Sequence, residues 1–100
     1  MSKSIMQDKR ECYITGETEK IVKHHIFGGG RRQLSEQWGC WIYLRPDWHN
    51  MADYGVHGSK GHTLDLRLKQ VCQKRFEELH GHEKFMEVFK KNYLEDEDAE

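Results

Sequence analysis

Apolar positions change period along the chain. The run Ile21-Val22-Lys23-His24-His25-Ile26 is β-branched and short, which predicts a strand. Gly28 to Gly30 break it, and Gln33 to Trp38 are expected to form a helical turn that Gly39 ends. Cys40 to Leu44 predict a second strand, stopped by Pro46, whose ring has no N–H for a ladder. The two strands should pair antiparallel across a connection of roughly residues 27 to 39, which is long for a hairpin and for that reason a candidate for function. Upstream, Cys12 to Gly16 form a short apolar edge closed by a turn. Residues 47 to 62, rich in His, Asn, Asp and Gly, predict a loop with one helical turn.

The period then becomes helical. After Thr63, a suitable N-cap, Leu64, Leu68, Val71, Cys72, Phe76 and Leu79 recur on one face of a 3.6-residue repeat. Gly81 ends that helix. Phe85, Met86, Val88, Phe89, Tyr93 and Leu94 predict a second, shorter amphipathic helix, and both helices should supply core. The expected class is α+β, a strand hairpin followed by helices. With 100 residues, one domain over residues 1–94 is expected.

Charge modifies this picture at one end. The formal charge is -1, but five of the 17 acidic groups lie in Glu95 to Glu100, so residues 1–94 carry 16 basic against 12 acidic groups, a net +4. A disordered acidic tail over 95–100 is expected, on a body compatible with nucleic acid. Three widely spaced cysteines, Cys12, Cys40 and Cys72, and the absence of an apolar leader or membrane span predict a reduced, soluble, cytoplasmic protein. Cys72 should be a buried small hydrophobe and Cys40 half buried. Trp38 and Trp41 are expected in the core rather than as base-stacking platforms.

The chemistry concentrates in Lys23-His24-His25-Ile26-Phe27-Gly28-Gly29-Gly30-Arg31-Arg32, with His49 and His57 brought back from the later loop. Imidazole, bare glycine backbone and guanidinium together suit one small anion, as in a metal-assisted phosphodiester site. Adjacent histidines on a strand face opposite sides, so one can hold a metal while the other activates water. His62, His80 and His82 are expected to be solvated loop and helix-end residues.

The ordered set HHIFGG, SEQWG, WIYLRPDWHN, YGVH and LDLRLKQ resembles the small HNH endonucleases of phages and prophages, and is more distantly similar to RecA-dependent recombination nucleases. The resemblance covers roughly residues 12 to 94. It implies a ββα-metal fold with additional C-terminal helices, cutting DNA with one divalent cation, Mg2+ or Mn2+ first, with Zn2+ or Ni2+ as alternatives. It makes His24, His49 and His57 metal ligands, with Asn50 or Asp53 as alternatives to His57, and makes His25 the general base. Arg31, Arg32 and the backbone at Gly29 would hold flanking phosphates. The implied partner is DNA, alone or directed by a recombinase filament or packaging protein in a bacterial host cell; oligomeric state stays open.

The sequence departs from that family in one respect. Many relatives carry a structural zinc on two cysteine-containing pairs, and the matching positions here are Cys12, Thr15, Arg45 and Trp48. Only one is a zinc ligand, so no structural zinc is expected, and Trp48 with the stem of Arg45 should fill the space. The middle asparagine of the usual motif is not identifiable. The other reading is a non-catalytic nucleic-acid- or protein-binding module on a decayed HNH fold.

Overall fold

Strand β1 (Val22–His25) pairs antiparallel with β2 (Trp41–Leu44), with His24 opposite Ile42 and His25 opposite Trp41, in the computed structural model, which describes residues 3–95. Alternation along β1 puts His24 on the buried face, while Lys23 and His25 share the outer face with Trp41 and Tyr43. Between the strands, a 3-10 turn at Gly29–Arg31 leads into α1 (Arg32–Trp38). Gly39 ends α1 at φ 74°, and a Cβ there would lie 2.1 Å from the Lys3 carbonyl oxygen, so both backbone angle and space require glycine.

The connection is held by Ser35, fully buried on α1. Its hydroxyl donates to the Phe27 carbonyl (2.8 Å) and accepts from the Phe27 N–H (3.0 Å). The chain leaving β1 is thereby fixed to the helix, and the arrangement of the glycine segment follows. Upstream, Tyr13 N–H donates to the Tyr43 carbonyl, and Cys12 forms an isolated parallel bridge with Tyr43. The expected edge at Cys12 is therefore a single bridge rather than a strand.

After β2, Asp47–Met51 wind into a π-helical turn, and α2 (His62–His80) and α3 (His82–Phe89) follow. Gly61, not Thr63, precedes α2; Thr63 lies inside the first turn. Leu68, Cys72 and Phe76 are buried as expected, but Val71 and Leu79 are 46% and 47% exposed, and Leu66 and Gln73 take inward positions instead. What covers the helix changes along its nineteen residues, so positions on one sequence stripe are not all met by core. Gly81 separates α2 from α3, and Lys90 at φ 61° ends α3, so Tyr93 and Leu94 belong to a final 3-10 turn (Tyr93–Glu95).

Phe27 is the centre of the core. Its ring meets Phe85, Phe89 and Tyr93 with centroids 5.6, 4.5 and 5.0 Å apart, which ties the residues after β1 to the two C-terminal elements. Buried Gln73 fastens the chain end by accepting from the Tyr93 N–H (2.8 Å) and donating to Asn92 Oδ1 (2.7 Å). Cys40 is fully buried rather than half buried; its thiol meets that of Cys72, and this contact with burial pushes the Cys72 thiol well up, leaving it protonated. Among the described residues no helix is long and apolar enough to cross a membrane. The acidic tail lies outside the described residues beyond Glu95.

Cys12, Thr15 and Arg45 are joined by hydrogen bonds. Cys12 Sγ accepts from the N–H groups of Thr15 (3.5 Å) and Arg45 (3.4 Å). Burial pushes this thiol up, but the donors from Thr15, Arg45 and Ile14 together pull it below its usual range. Arg45 binds Glu17 (2.6 Å) and Asp47 (3.1 Å), while the Trp48 ring packs edge-on to Tyr54 at 4.6 Å. Trp48 also packs against the core cluster to which Cys12 belongs, while the Arg45 guanidinium is committed to these ion pairs.

Candidate metal centre

Three imidazoles converge beneath the hairpin. The ring centroids of His24, His49 and His57 are 5.3 Å (24 to 49), 5.1 Å (24 to 57) and 4.7 Å (49 to 57) apart, and one nitrogen of each lies within 4.8 Å of the others. Each comes from a different local structure. His24 leaves the inner face of β1, His49 sits in the π-helical turn, and His57 lies in the following loop.

Backbone pairing brings the last two together. The His57 N–H donates to the His49 carbonyl (2.9 Å), and the Val56 N–H donates to the Trp48 carbonyl (2.9 Å). This doubling back needs glycine at close approaches: a Cβ on Gly55 would lie 2.6 Å from the Asp47 oxygen, and one on Gly61 would lie 1.8 Å from the Gly55 oxygen. Asp53 pairs with Lys60 (3.5 Å) outside the cluster, and Asn50 is exposed. Of the three candidates for the last position, His57 is the one whose ring meets the other two histidines.

Burial and mutual repulsion lower the basicity of two of the three rings, His24 and His49. Burial, then the positive potential of His49, His57, His25 and Lys69, pushes the His24 pKa down to about 3. His49 is also lowered, by burial first and then by His57. His24 is only 3% exposed, and its Nε2 has no hydrogen-bond partner. An unpartnered buried imidazole nitrogen costs stability unless something occupies it. Three imidazole donors, with positions left over for oxygen, are a set that could hold one metal ion.

His25, one residue on, faces the other way. Its Nε2 lies 2.7 Å from Glu36 Oε1, and Arg32 Nε approaches Nδ1 at 3.4 Å. The His25 contact, aided by Lys23 at 3.2 Å, holds the Glu36 carboxyl below its usual range despite some burial. With Glu36 accepting from Nε2–H, Nδ1 is the acceptor nitrogen of the ring, and Arg32 Nε–H donates to it. Glu36 escaped sequence reasoning because nothing in the chain pairs a residue of α1 with a residue of β1 until the two pack.

The predicted phosphate-binding residues separate. Arg32 is exposed beside His25, and Gly29 is exposed at φ 58° with open space around it. Arg31 is turned inward: its Nε donates to the Phe89 carbonyl (2.8 Å), capping α3. It secures the fold, and the expected phosphate contact through that nitrogen is already used. His80 packs against Trp38 and Phe76, and His82 Nδ1 lies 2.6 Å from Glu77, so both are exposed helix-end residues apart from the cluster. A cleft of about 770 Å³ over Glu17, Lys20, Arg45 and Asp47 contains none of these histidines. Comparisons with protein-family models, curated proteins and solved structures find no match to this chain.

Proposed function

We propose that this protein is a metal-dependent DNA endonuclease, with His24, His49 and His57 holding one divalent cation and His25 as general base. The observation that carries the reading is the division of labour at adjacent positions: a three-histidine cluster on one face of β1 and a His25–Glu36 pair on the other. The resemblance of the ordered motifs to HNH endonucleases supports the same reading, and the two-stranded antiparallel hairpin followed by helices is compatible with it.

A divalent ion bound there supplies Lewis acidity to a phosphate oxygen and steadies the leaving oxygen. The protein supplies the rest. Once Arg32 turns from His25 Nδ1 to a phosphate, that nitrogen is free to take the proton of an attacking water, and Glu36 fixes the ring and stabilises the imidazolium that forms. Arg32, beside that nitrogen, is placed to draw a phosphate toward it. His24 stays neutral because it is buried, so its lone pair remains available well below neutral pH. Three imidazole donors suit first-row ions such as Mn2+, Ni2+ or Zn2+ better than Mg2+, which prefers oxygen ligands.

The test is nicking of supercoiled plasmid by purified protein with each metal in turn, for wild type and His49→Ala. Metal-dependent nicking that His49→Ala abolishes is the expected result. Absence of cleavage of every DNA form under all metals, with metal still bound, would leave a non-catalytic binding module.

A further inference from the structure

We infer that the cleft between the N-terminal segment and the outer face of the hairpin seats a single strand of DNA flanking the cut. The inference takes its class of ligand from the nuclease reading and adds which form of DNA is held, and where. The cleft is about 500 Å³ and is lined by Lys3, Lys9, Arg10, Trp41 and Tyr43, with Asp8 the one acidic lining residue. Because His25 is the register partner of Trp41, the cleft begins directly across the strand pair from the proposed base. Lys23 and Tyr43, the next pair outward on the same face, continue the surface away from it.

Two observations favour a nucleic-acid strand. The first is the alternation of cations and rings: Lys23 Nζ lies 4.2 Å from the Trp41 ring centroid and the Arg10 guanidinium 5.1 Å from that of Tyr43. A base can take the Tyr43 face while Arg10, which is exposed, swings to the neighbouring phosphate, so one cation serves ring and phosphate in turn. The second is the Trp41 indole N–H, a buried donor with no partner in a side chain only 8% exposed. A buried donor left unpaired at the wall of a cationic cleft suits an acceptor brought by a ligand.

The cleft is also built in advance. Gln7 Oε1 accepts from the Tyr43 N–H (2.7 Å) while Gln7 Nε2 donates to the Lys9 (3.2 Å) and Glu11 (2.8 Å) carbonyls, and Ser4 Oγ donates to the Trp41 carbonyl (2.6 Å). These bonds fix Lys9 and Arg10 beside the rings without using their charges. A duplex keeps its bases stacked inside and cannot offer one to Tyr43, so the strand in the cleft is unpaired.

The experiment measures binding with metal chelated, so that cleavage plays no part. Fluorescence anisotropy of a labelled oligothymidylate and of a duplex of equal length is followed for wild type, Arg10→Ala, Tyr43→Ala, Tyr43→Phe and Lys74→Ala, each checked for folding by circular dichroism. Lys74 is an exposed cation on α2 that does not line the cleft. Expected are tighter binding of the single strand than the duplex, a loss of about tenfold for Arg10→Ala and Tyr43→Ala, and little change for Tyr43→Phe or Lys74→Ala. Arg10→Ala should also lower the slope of log affinity against log salt by about 0.7. If Tyr43→Ala does not fold, Arg10→Ala and Lys9→Ala at exposed positions carry the same test. Equal affinity for the two DNA forms, or equal losses for Arg10→Ala and Lys74→Ala, overturns the cleft. Nicking is scored separately: binding without nicking sinks the nuclease reading alone, and nicking without this binding pattern sinks the cleft alone.

Discussion

The His57 N–H donates to the His49 carbonyl at 2.9 Å, and that one backbone bond places two imidazoles side by side beneath β1. The loop that makes it possible is closed around glycine, since a Cβ on Gly61 would lie 1.8 Å from the Gly55 oxygen. Gly61→Ala must therefore push the two segments apart. It should weaken metal binding at least tenfold and lower stability by about 1–3 kcal/mol, the usual range for overpacking. Calorimetric metal titration beside a thermal melt checks this; unchanged metal affinity in a folded Gly61→Ala protein would show that the loop does not set the cluster.

His25 and Glu36 should separate rate from metal binding. His25→Ala is expected to reduce nicking by about 10²- to 10⁴-fold at saturating metal, and Glu36→Gln by about 10- to 100-fold, both with metal affinity near wild type. The carboxylate only orients the ring, so its loss is the smaller. Single-turnover nicking with metal titrations tests the pair; His25→Ala nicking as fast as wild type would remove His25 as the base.

Arg31 and Arg32, adjacent in sequence, should behave differently. Arg31→Ala leaves the Phe89 carbonyl uncapped and is expected to destabilise by about 1–3 kcal/mol. Arg32→Ala should leave the melting temperature nearly unchanged and weaken DNA binding. Urea unfolding and DNA titration of both variants decide; equal effects of the two on DNA affinity, with no loss of stability in Arg31→Ala, would reverse the assignment.

Metal-free stability should rise with pH because of His24. Its pKa is about 3 when folded, against about 6.5 unfolded, so between these values the unfolded chain binds a proton that the folded chain does not. Stability is then fully present above about pH 6.5 and falls as pH drops, by at most about 1.4 kcal/mol per unit from this group. His49, also lowered, acts in the same direction. Urea melts in EDTA between about pH 7 and pH 5, compared with His24→Gln, check the sign. A wild-type profile as flat as that of His24→Gln would show that His24 is protonated in the fold.

Chelation should leave the protein folded. Cys12 keeps its Thr15 and Arg45 donors and Arg45 its Glu17 and Asp47 partners without any ion. Metal at the histidine cluster adds only its binding free energy to stability, about 2.7 kcal/mol at a hundred times Kd. Loss of cooperative unfolding in excess EDTA would contradict this.

Local patterns in the sequence determined both strands, the glycine stop at Gly39, the break at Gly81 and the opposite facing of His24 and His25, because each depends on neighbours a few residues away. The metal-cluster candidates, His57 among them, were named from the sequence, and the backbone pairing of residues 48–49 with 56–57 is what sets His57 rather than Asn50 or Asp53 beside His49. Tertiary packing alone decided the rest. Glu36 reaches His25 only when α1 lies on β1, and Arg31 turns from phosphate to the Phe89 carbonyl only because α3 ends beside it. Val71 and Leu79 face solvent because what covers a helix varies along its length, which periodicity does not encode. Side-chain partners far apart in the chain are fixed by the closing of loops and the burial of Phe27 against the C-terminal elements, and no spacing in the sequence carries that information.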